Sequence, residues 1–165
     1  MPKSFNQKLK ILYLMRVFAE KTDEAHPMSV KDLIAYLENF GIHAERKTIY
    51  DDIETLRVFG MDIMNRRERP SGFYLASREF EVAELKLLVD AVQSSRFLTT
   101  GKSRQLIQKL ESLTSIYQAK DLQRQVIVQN RVKNTNENIY YNIDEIHRAI
   151  SQNRQISFQY TEWTV

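Results

Sequence analysis

Four residues near the start of one amphipathic segment carry side chains that can recognise nucleic acid. They are Arg46, Lys47, Thr48 and Tyr50. An arginine or a lysine can donate to guanine O6 and N7 or to a phosphate, a threonine can contact a phosphate or a thymine methyl, and a tyrosine offers a ring and a hydroxyl. The alternative for the two cations is a solvated helix start, and the alternative for the tyrosine is packing against a neighbour.

A second cationic group surrounds a predicted turn. Arg66, Arg67 and Arg69 lie at or beside residues 68–72, whose Pro and Gly favour a turn. The flanking residues predict a hairpin over about 61–75. Its arginines can follow a phosphate track or enter the minor groove, whereas the alternative is an exposed edge that charge keeps soluble.

Two short helices must position these groups. Ser29 is a good N-cap, and Asp32 lies three residues later, where a carboxylate meets the positive end of the helix dipole. The first helix should end at Gly41, a residue suited to a left-handed C-terminal cap, and the second is predicted over about 45–59. Their apolar stripes are Val30, Leu33, Ile34, Leu37 and Phe40, and then Ile49, Ile53 and Leu56.

The start of the first short helix is a further candidate contact. Ser29 and Lys31 lie there, and in a helix-turn-helix this helix crosses the DNA backbone, so their amides and side chains can meet phosphate. Capping alone explains Ser29 equally well.

A longer helix is predicted over about 5–21, because apolar residues cover much of its circumference. We expect such a helix to be covered by other helices, and to form one hydrophobic core with the two short helices. This order, followed by the hairpin, is a winged helix-turn-helix over residues 1–78. We expect its recognition helix, 45–59, in the major groove and its wing, 61–75, on the backbone or in the minor groove.

Residues 79–138 predict a helical linker. Its two apolar stripes can pack on each other within one chain or contact a second chain, and residues 122–131 are compatible with a strand or an extended crossing segment. The stripes consist of Val82, Leu85, Leu88, Val89 and Val92, and of Leu106, Ile107, Leu110 and Leu113.

The last part of the chain, 139–165, predicts one helix and one strand. Ile156, Phe158 and Tyr160 alternate with polar residues, which favours a strand over 155–165. Because an isolated strand is not stable, we expect this to be the first strand of a sheet whose remainder is absent, and the protein to be truncated.

Several kinds of chemistry are not predicted. Asp51 and Asp52 are adjacent on a helix and point about 100° apart, so they do not form an acid-base pair. His26, His43 and His147 lie in separate segments without metal-ligand spacing. The sequence contains no cysteine, P-loop or nucleophile elbow, so we expect no active site, no metal and no cofactor.

The composition is that of an ordinary soluble globular protein. Lys and Arg number 24 against 21 acidic residues, a net charge of +3, so any nucleic-acid footprint must be local. The absence of cysteine is compatible with a reducing cytoplasm, and no apolar run approaches the roughly 18 residues that span a bilayer. We expect a cytoplasmic protein with no membrane partner.

The segment Arg46–Leu56, followed by Phe59-Gly60 and the hairpin, resembles the DeoR-like winged helix of bacterial WYL-domain transcriptional regulators. The similarity continues through the linker to Tyr141–Ile143 and Phe158–Tyr160, which look like the opening helix and first strand of a WYL domain. The resemblance implies a mainly α fold with small β: a winged helix, a helical connector and the start of an Sm-like β-barrel sensor. The Trp-Tyr-Leu triplet that names the family does not occur in the chain.

This resemblance implies a homodimeric transcriptional regulator that binds double-stranded DNA. It also implies a nucleic-acid or nucleotide-like effector at the absent part of the sensor domain. Two alternatives remain open. The winged helix is either the regulatory appendage of an enzyme whose catalytic domain lies beyond residue 165, or an interaction module that does not touch DNA.

Overall fold

The computed structural model describes residues 6–125, 133, 135–136 and 138–159. Within them the chain is mainly helical, with one small antiparallel sheet. The elements in chain order are α1 (Asn6–Lys21), α2 (Val30–Glu38), α3 (Arg46–Phe59), β1 (Ile63–Arg66), β2 (Gly72–Leu75), α4 (Val82–Ser94), α5 (Thr100–Glu111), α6 (Ile116–Gln125) and α7 (Ile139–Ser151).

The main hydrophobic core lies between α1, α2, α3 and the β1–β2 hairpin. Leu14, Phe18, Leu33 and Ile49 are fully inaccessible to solvent. Burying each such side chain stabilises the fold by about 1.5–3 kcal/mol. The predicted three-helix core is therefore confirmed.

The predicted start of α2 is also confirmed. The Ser29 hydroxyl accepts from the backbone N–H of Asp32, and the Asp32 carboxylate accepts from the backbone N–H of Ser29, which is a complete capping box. The apolar stripe differs at its end. Phe40 lies beyond α2, is 43% exposed and stacks on Tyr13, whereas Tyr36 is buried.

The hairpin pairs Ile63 with Leu75 and turns both side chains into the core. Residue 28 adds a short third pairing to the sheet. The N–H of Met28 donates to the carbonyl of Phe73 at 2.9 Å, and the N–H of Phe73 donates back at 2.8 Å. Gly72 permits this close approach, because a Cβ there would lie 2.4 Å from the carbonyl carbon of Met28. The hairpin is thereby attached to the chain two residues before the start of α2.

The end of α1 is linked to the strand β2 and to the segment that follows it. The Arg78 guanidinium donates to the carbonyls of Ala19 and Thr22, at 2.7 and 2.6 Å. The buried Thr22 hydroxyl donates to the carbonyl of Phe18 and accepts from the N–H of Leu75. These bonds satisfy carbonyls that have no partner within the helix.

Helices α4 and α5 pack on each other, and α6 contacts α4, α5 and α1. Leu85, Val89 and Ile107 of the two linker stripes are buried within the chain, whereas Leu88 and Leu113 of the same stripes are exposed. Helix α6 was not predicted, because its sequence is largely polar. The prediction of a strand or an extended segment over 122–131 is wrong at 122–125, which are the last residues of this helix. Its start is capped by Ser115, and Leu122 is buried.

The predicted C-terminal helix is present as α7, but the predicted strand is wrong over 155–159. Residues 154–159 are exposed and adopt no regular structure. Alternation does not make a strand unless a neighbouring strand accepts its backbone hydrogen bonds, and within the described chain the sheet contains only β1 and β2. Two parts of the predictions lie outside the described residues. They are residues 160–165 of the predicted strand and residues 126–131 of the segment predicted as a strand or an extended crossing.

In the part of the chain that the structure describes, every helix is too short or too polar to cross a bilayer.

Candidate nucleic-acid interface

The N-termini of α2 and α3 and the hairpin border one cleft of about 530 Å³. Six of the nine predicted contact residues line it. They are Ser29, Lys31, Arg46, Tyr50, Arg66 and Arg67. The fold therefore brings together side chains from three separate segments.

The charge of this cleft is of one sign. Lys31, Arg46, Arg66 and Arg67 are cationic, and among the described residues that line the cleft none is acidic. The start of α3 adds the partial positive charge of a helix N-terminus, whereas the Asp32 carboxylate caps the start of α2. A chain with nearly balanced charge thus has one local surface suited to an anion.

Arg46 is held by its neighbour one turn along α3. Its Nη2 donates to the Tyr50 hydroxyl at 3.3 Å, and its guanidinium carbon lies 5.9 Å from the centre of that ring. The Tyr50 ring packs edge-on against Phe73, with 5.9 Å between ring centres. Of the two roles considered for Tyr50, packing against a neighbour is therefore observed.

Arg66 is partly occupied by a structural contact. Its Nη1 donates to the carbonyl of Glu24 at 2.7 Å, in the loop between α1 and α2. Arg57 also holds the hairpin, because its Nε donates to the carbonyl of Ile63 at 2.8 Å. The hairpin is thus attached to α3 and to the loop before α2.

Ser29 and Lys31 differ in how far their side chains are engaged. The Ser29 hydroxyl donates to Oδ2 of Asp32 at 2.7 Å, so the capping role is observed and the hydroxyl proton is used within the protein. Lys31 is exposed at the start of α2. The lysine is the stronger candidate of the two for contact with an anion.

Three predicted residues do not line the cleft. Lys47 is exposed on α3, and Arg69 is exposed at the tip of the hairpin. The Thr48 hydroxyl donates to the carbonyl of Glu45 at 2.9 Å. All three residues are close in sequence to residues that line the cleft, but they do not line it themselves.

Sequence reasoning missed Asn65, Ser71 and Phe73, which also line the cleft. Asn65 lies two residues before Arg67, so strand alternation could have placed it on the same face. The role of Phe73 as the surface against which Tyr50 packs has no signal in a single sequence, because it depends on how the hairpin docks on α3.

Asp52 and His26, two of the residues considered for acid-base or metal chemistry, make contacts that stabilise the fold. Asp52 pairs with Lys10 of α1, with 2.7 Å between Oδ2 and Nζ, while Asp51 is exposed. The His26 ring stacks on Tyr117 with 3.6 Å between ring centres. Among the described residues, no three His, Asp or Glu side chains converge as metal ligands would.

Comparisons with known protein families, with curated proteins and with solved structures find no significant match to this chain.

Proposed function

We propose that this protein is a sequence-specific DNA-binding transcriptional regulator. In this proposal residues 6–78 form a winged helix-turn-helix, α3 enters the major groove, and the β1–β2 hairpin lies along the backbone or in the minor groove. The likeness of Arg46–Leu56 to DeoR-like regulators supports the same assignment.

One observation carries the proposal: the start of α3 and the hairpin share a cationic cleft without acidic lining among the described residues. A protein that binds DNA must neutralise phosphates and present donors to base edges on the same face. Arg66 and Arg67 are suited to the first task, and Arg46 to the second. The order α1, α2, α3, hairpin, with Met28 paired to the hairpin, agrees with the order expected for a winged helix and supports the proposal.

The test is a salt titration of DNA binding. A duplex would first be enriched from a random pool of about 20 bp, and its affinity measured by fluorescence anisotropy over a range of salt concentrations. The variant Arg66→Ala/Arg67→Ala should weaken binding to all duplexes and lower the salt slope by about two, because each phosphate contact contributes about 0.9. Arg46→Ala or Lys47→Ala should change the enriched sequence if that side chain reaches a base.

The matched control is Arg96→Ala/Arg104→Ala. It removes the same number of positive charges from exposed positions near and within α5, away from the cleft. The control should keep the wild-type salt slope. Equal slopes for the two double variants, or a wild-type protein that binds no duplex, would reject the proposal.

We also propose that the regulator acts as a homodimer. A single small module buries only about 600–1,000 Å² on DNA, and two half-sites supply the affinity that specific binding needs. The buried face of α4 packs within the chain, but Leu87 on its other face is 71% exposed. Multi-angle light scattering at micromolar concentration would test this, with Leu87→Glu expected to shift a dimer towards monomer and a monomeric wild type contradicting the proposal.

A further inference from the structure

The loop between α1 and α2, residues 22–27, touches two distant parts of the chain. On one side it contacts the start of α6, and on the other it contacts the hairpin of the cationic cleft. It therefore connects the helical part of the molecule to the proposed DNA-binding surface.

The contact with α6 is made by Asp23 and His26. Asp23 is 5% exposed, and its Oδ2 accepts a hydrogen bond of 2.5 Å from the Ser115 hydroxyl. Its Oδ1 accepts from Nδ1 and from the backbone N–H of His26, at 2.8 and 2.9 Å. The His26 ring lies parallel to Tyr117, with 6° between the planes. We call the pairs Asp23–Ser115 and His26–Tyr117 the latch.

The contact with the hairpin is made by the adjacent residue. The carbonyl of Glu24 accepts from Nη1 of Arg66 at 2.7 Å. Four residues later, Met28 exchanges two backbone hydrogen bonds with Phe73. The loop conformation that the latch fixes is thus the one that orients Arg66 and β2.

Resting on the proposed function, we propose that the latch is a positioning device which holds Arg66 in place for contact with a DNA phosphate. A guanidinium carries several N–H donors in a rigid fork, and the Glu24 carbonyl takes one of them. The remaining N–H donors of Arg66 are then oriented before DNA binds. A latch between α6 and this loop also gives the helical part of the chain a route by which its movement would change DNA affinity.

The size of the effect follows from side-chain ordering. Immobilising a flexible side chain on binding weakens affinity by about threefold to tenfold. Loosening the latch should therefore weaken DNA binding by that factor, because Arg66 would be ordered only when DNA binds.

The test uses Ser115→Gly in the whole chain. Besides donating to Asp23, the Ser115 hydroxyl accepts from the N–H of Gln118 as the N-cap of α6. Glycine is tolerated at an N-cap at a cost of a few tenths of a kcal/mol, so the helix should remain. The matched control is Thr99→Gly, which removes the N-cap hydroxyl of α5, a helix that is not part of the latch. Tyr117→Leu serves as a second variant, because it removes the stacking on His26 without touching Asp23.

Ser115→Gly and Tyr117→Leu should bind the enriched duplex threefold to tenfold more weakly than wild type, and Thr99→Gly should bind as wild type does. Combined with Arg66→Ala, Ser115→Gly should cause no further loss, because both changes remove the same contact. A role in stability alone predicts equal losses in Ser115→Gly and Thr99→Gly. That result, or additive losses in the double variant, would overturn the proposal.

Hydrogen exchange separates this inference from the proposed function. The amide hydrogens of Met28 and Phe73 report on the hairpin without any DNA present. In Ser115→Gly both should exchange faster than in Thr99→Gly, and unchanged exchange would overturn the positioning role. If the exchange responds but the wild-type protein binds no duplex, the latch positions the hairpin and the DNA-binding function is what fails.

Discussion

The Tyr50 hydroxyl accepts a hydrogen bond from Arg46 at 3.3 Å, while the ring of the same tyrosine packs against Phe73 of the hairpin. One side chain therefore couples the start of α3 to β2. Because both ends of this contact lie in the cationic cleft, the direction of the Arg46 guanidinium depends on the docking of the hairpin.

Tyr50→Phe should separate these two contacts. The ring would still pack on Phe73, but the hydrogen bond to Arg46 would be lost, which is worth about 0.5–1.5 kcal/mol. We expect discrimination against the wrong base pair at one position to fall by about threefold to tenfold. Affinity for non-specific DNA and the salt slope should not change, because no charge is removed.

The measurement is a competition assay with single-substitution variants of the enriched duplex. Tyr74→Phe is the matched control, because Tyr74 lies on the same strand as Phe73 but does not line the cleft. An equal change in both variants, or a change in the salt slope of Tyr50→Phe, would contradict the proposed role.

The elements around the cleft could be predicted because their signals are local. The Ser29 cap, the apolar periodicity of α2 and α3, and the left-handed Gly41 that follows α2 are all properties of a few adjacent residues. The turn at 68–72 is likewise determined by its own Pro and Gly. Each of these features is therefore recognisable without any tertiary contact.

The remaining features depend on contacts between residues far apart in sequence. The latch joins Asp23 to Ser115, which are 92 positions apart, and no periodic pattern indicates such a pair. Helix α6 is stabilised by packing rather than by a strong apolar stripe. The strand predicted at 155–159 shows the opposite error, because alternation is present while a partner strand is not among the described residues.

Gly72→Ala should be strongly destabilising. Its φ of +153° is unfavourable for any other residue, and an added Cβ would lie 2.4 Å from the backbone of Met28. We expect a loss of about 3 kcal/mol in the free energy of unfolding, measured by urea denaturation. Gly41→Ala is the control, since Gly41 has a φ of +67° but open space around it, and should lose only about 1–2 kcal/mol. Equal losses in the two variants would mean that the close approach of Met28 does not add to the cost of a side chain at position 72.

The ion pair of Lys10 and Asp52 should stabilise the packing of α1 on α3. The two charged atoms are 2.7 Å apart, and the side chains are only 10% and 19% exposed. Lys10→Met alone should cost about 2 kcal/mol, because it leaves a largely buried carboxylate without its cation. The double variant Lys10→Met/Asp52→Leu should recover most of that loss. Thermal and urea unfolding of the wild type, Lys10→Met, Asp52→Leu and the double variant would give the coupling energy, and additive losses would show that the pair does not act as a unit.

Asp23 should make the fold sensitive to acid. Burial by itself raises the pKa of this carboxyl, but the hydrogen bonds from Ser115 and His26 outweigh it and hold the pKa below its usual range. A carboxyl whose pKa is lower in the folded than in the unfolded state stabilises the fold at pH values above about 4. That stabilisation is lost as the pH falls through the folded-state pKa.

The expected result is a steeper decline of stability below about pH 4 in the wild type than in Asp23→Asn, which has no carboxyl to protonate at this position. Above about pH 5 the variant should be the less stable protein, because an amide cannot replace the charge-assisted hydrogen bonds from Ser115 and His26. Urea denaturation from about pH 2.5 to about pH 7 covers the titration of a carboxyl. It would measure both the decline of stability below about pH 4 and the difference between the two proteins above about pH 5. Asp90→Asn, at an exposed position of α4, is the control and should follow the wild-type curve. Parallel curves for wild type and Asp23→Asn would show that protonation of Asp23 does not drive the acid transition.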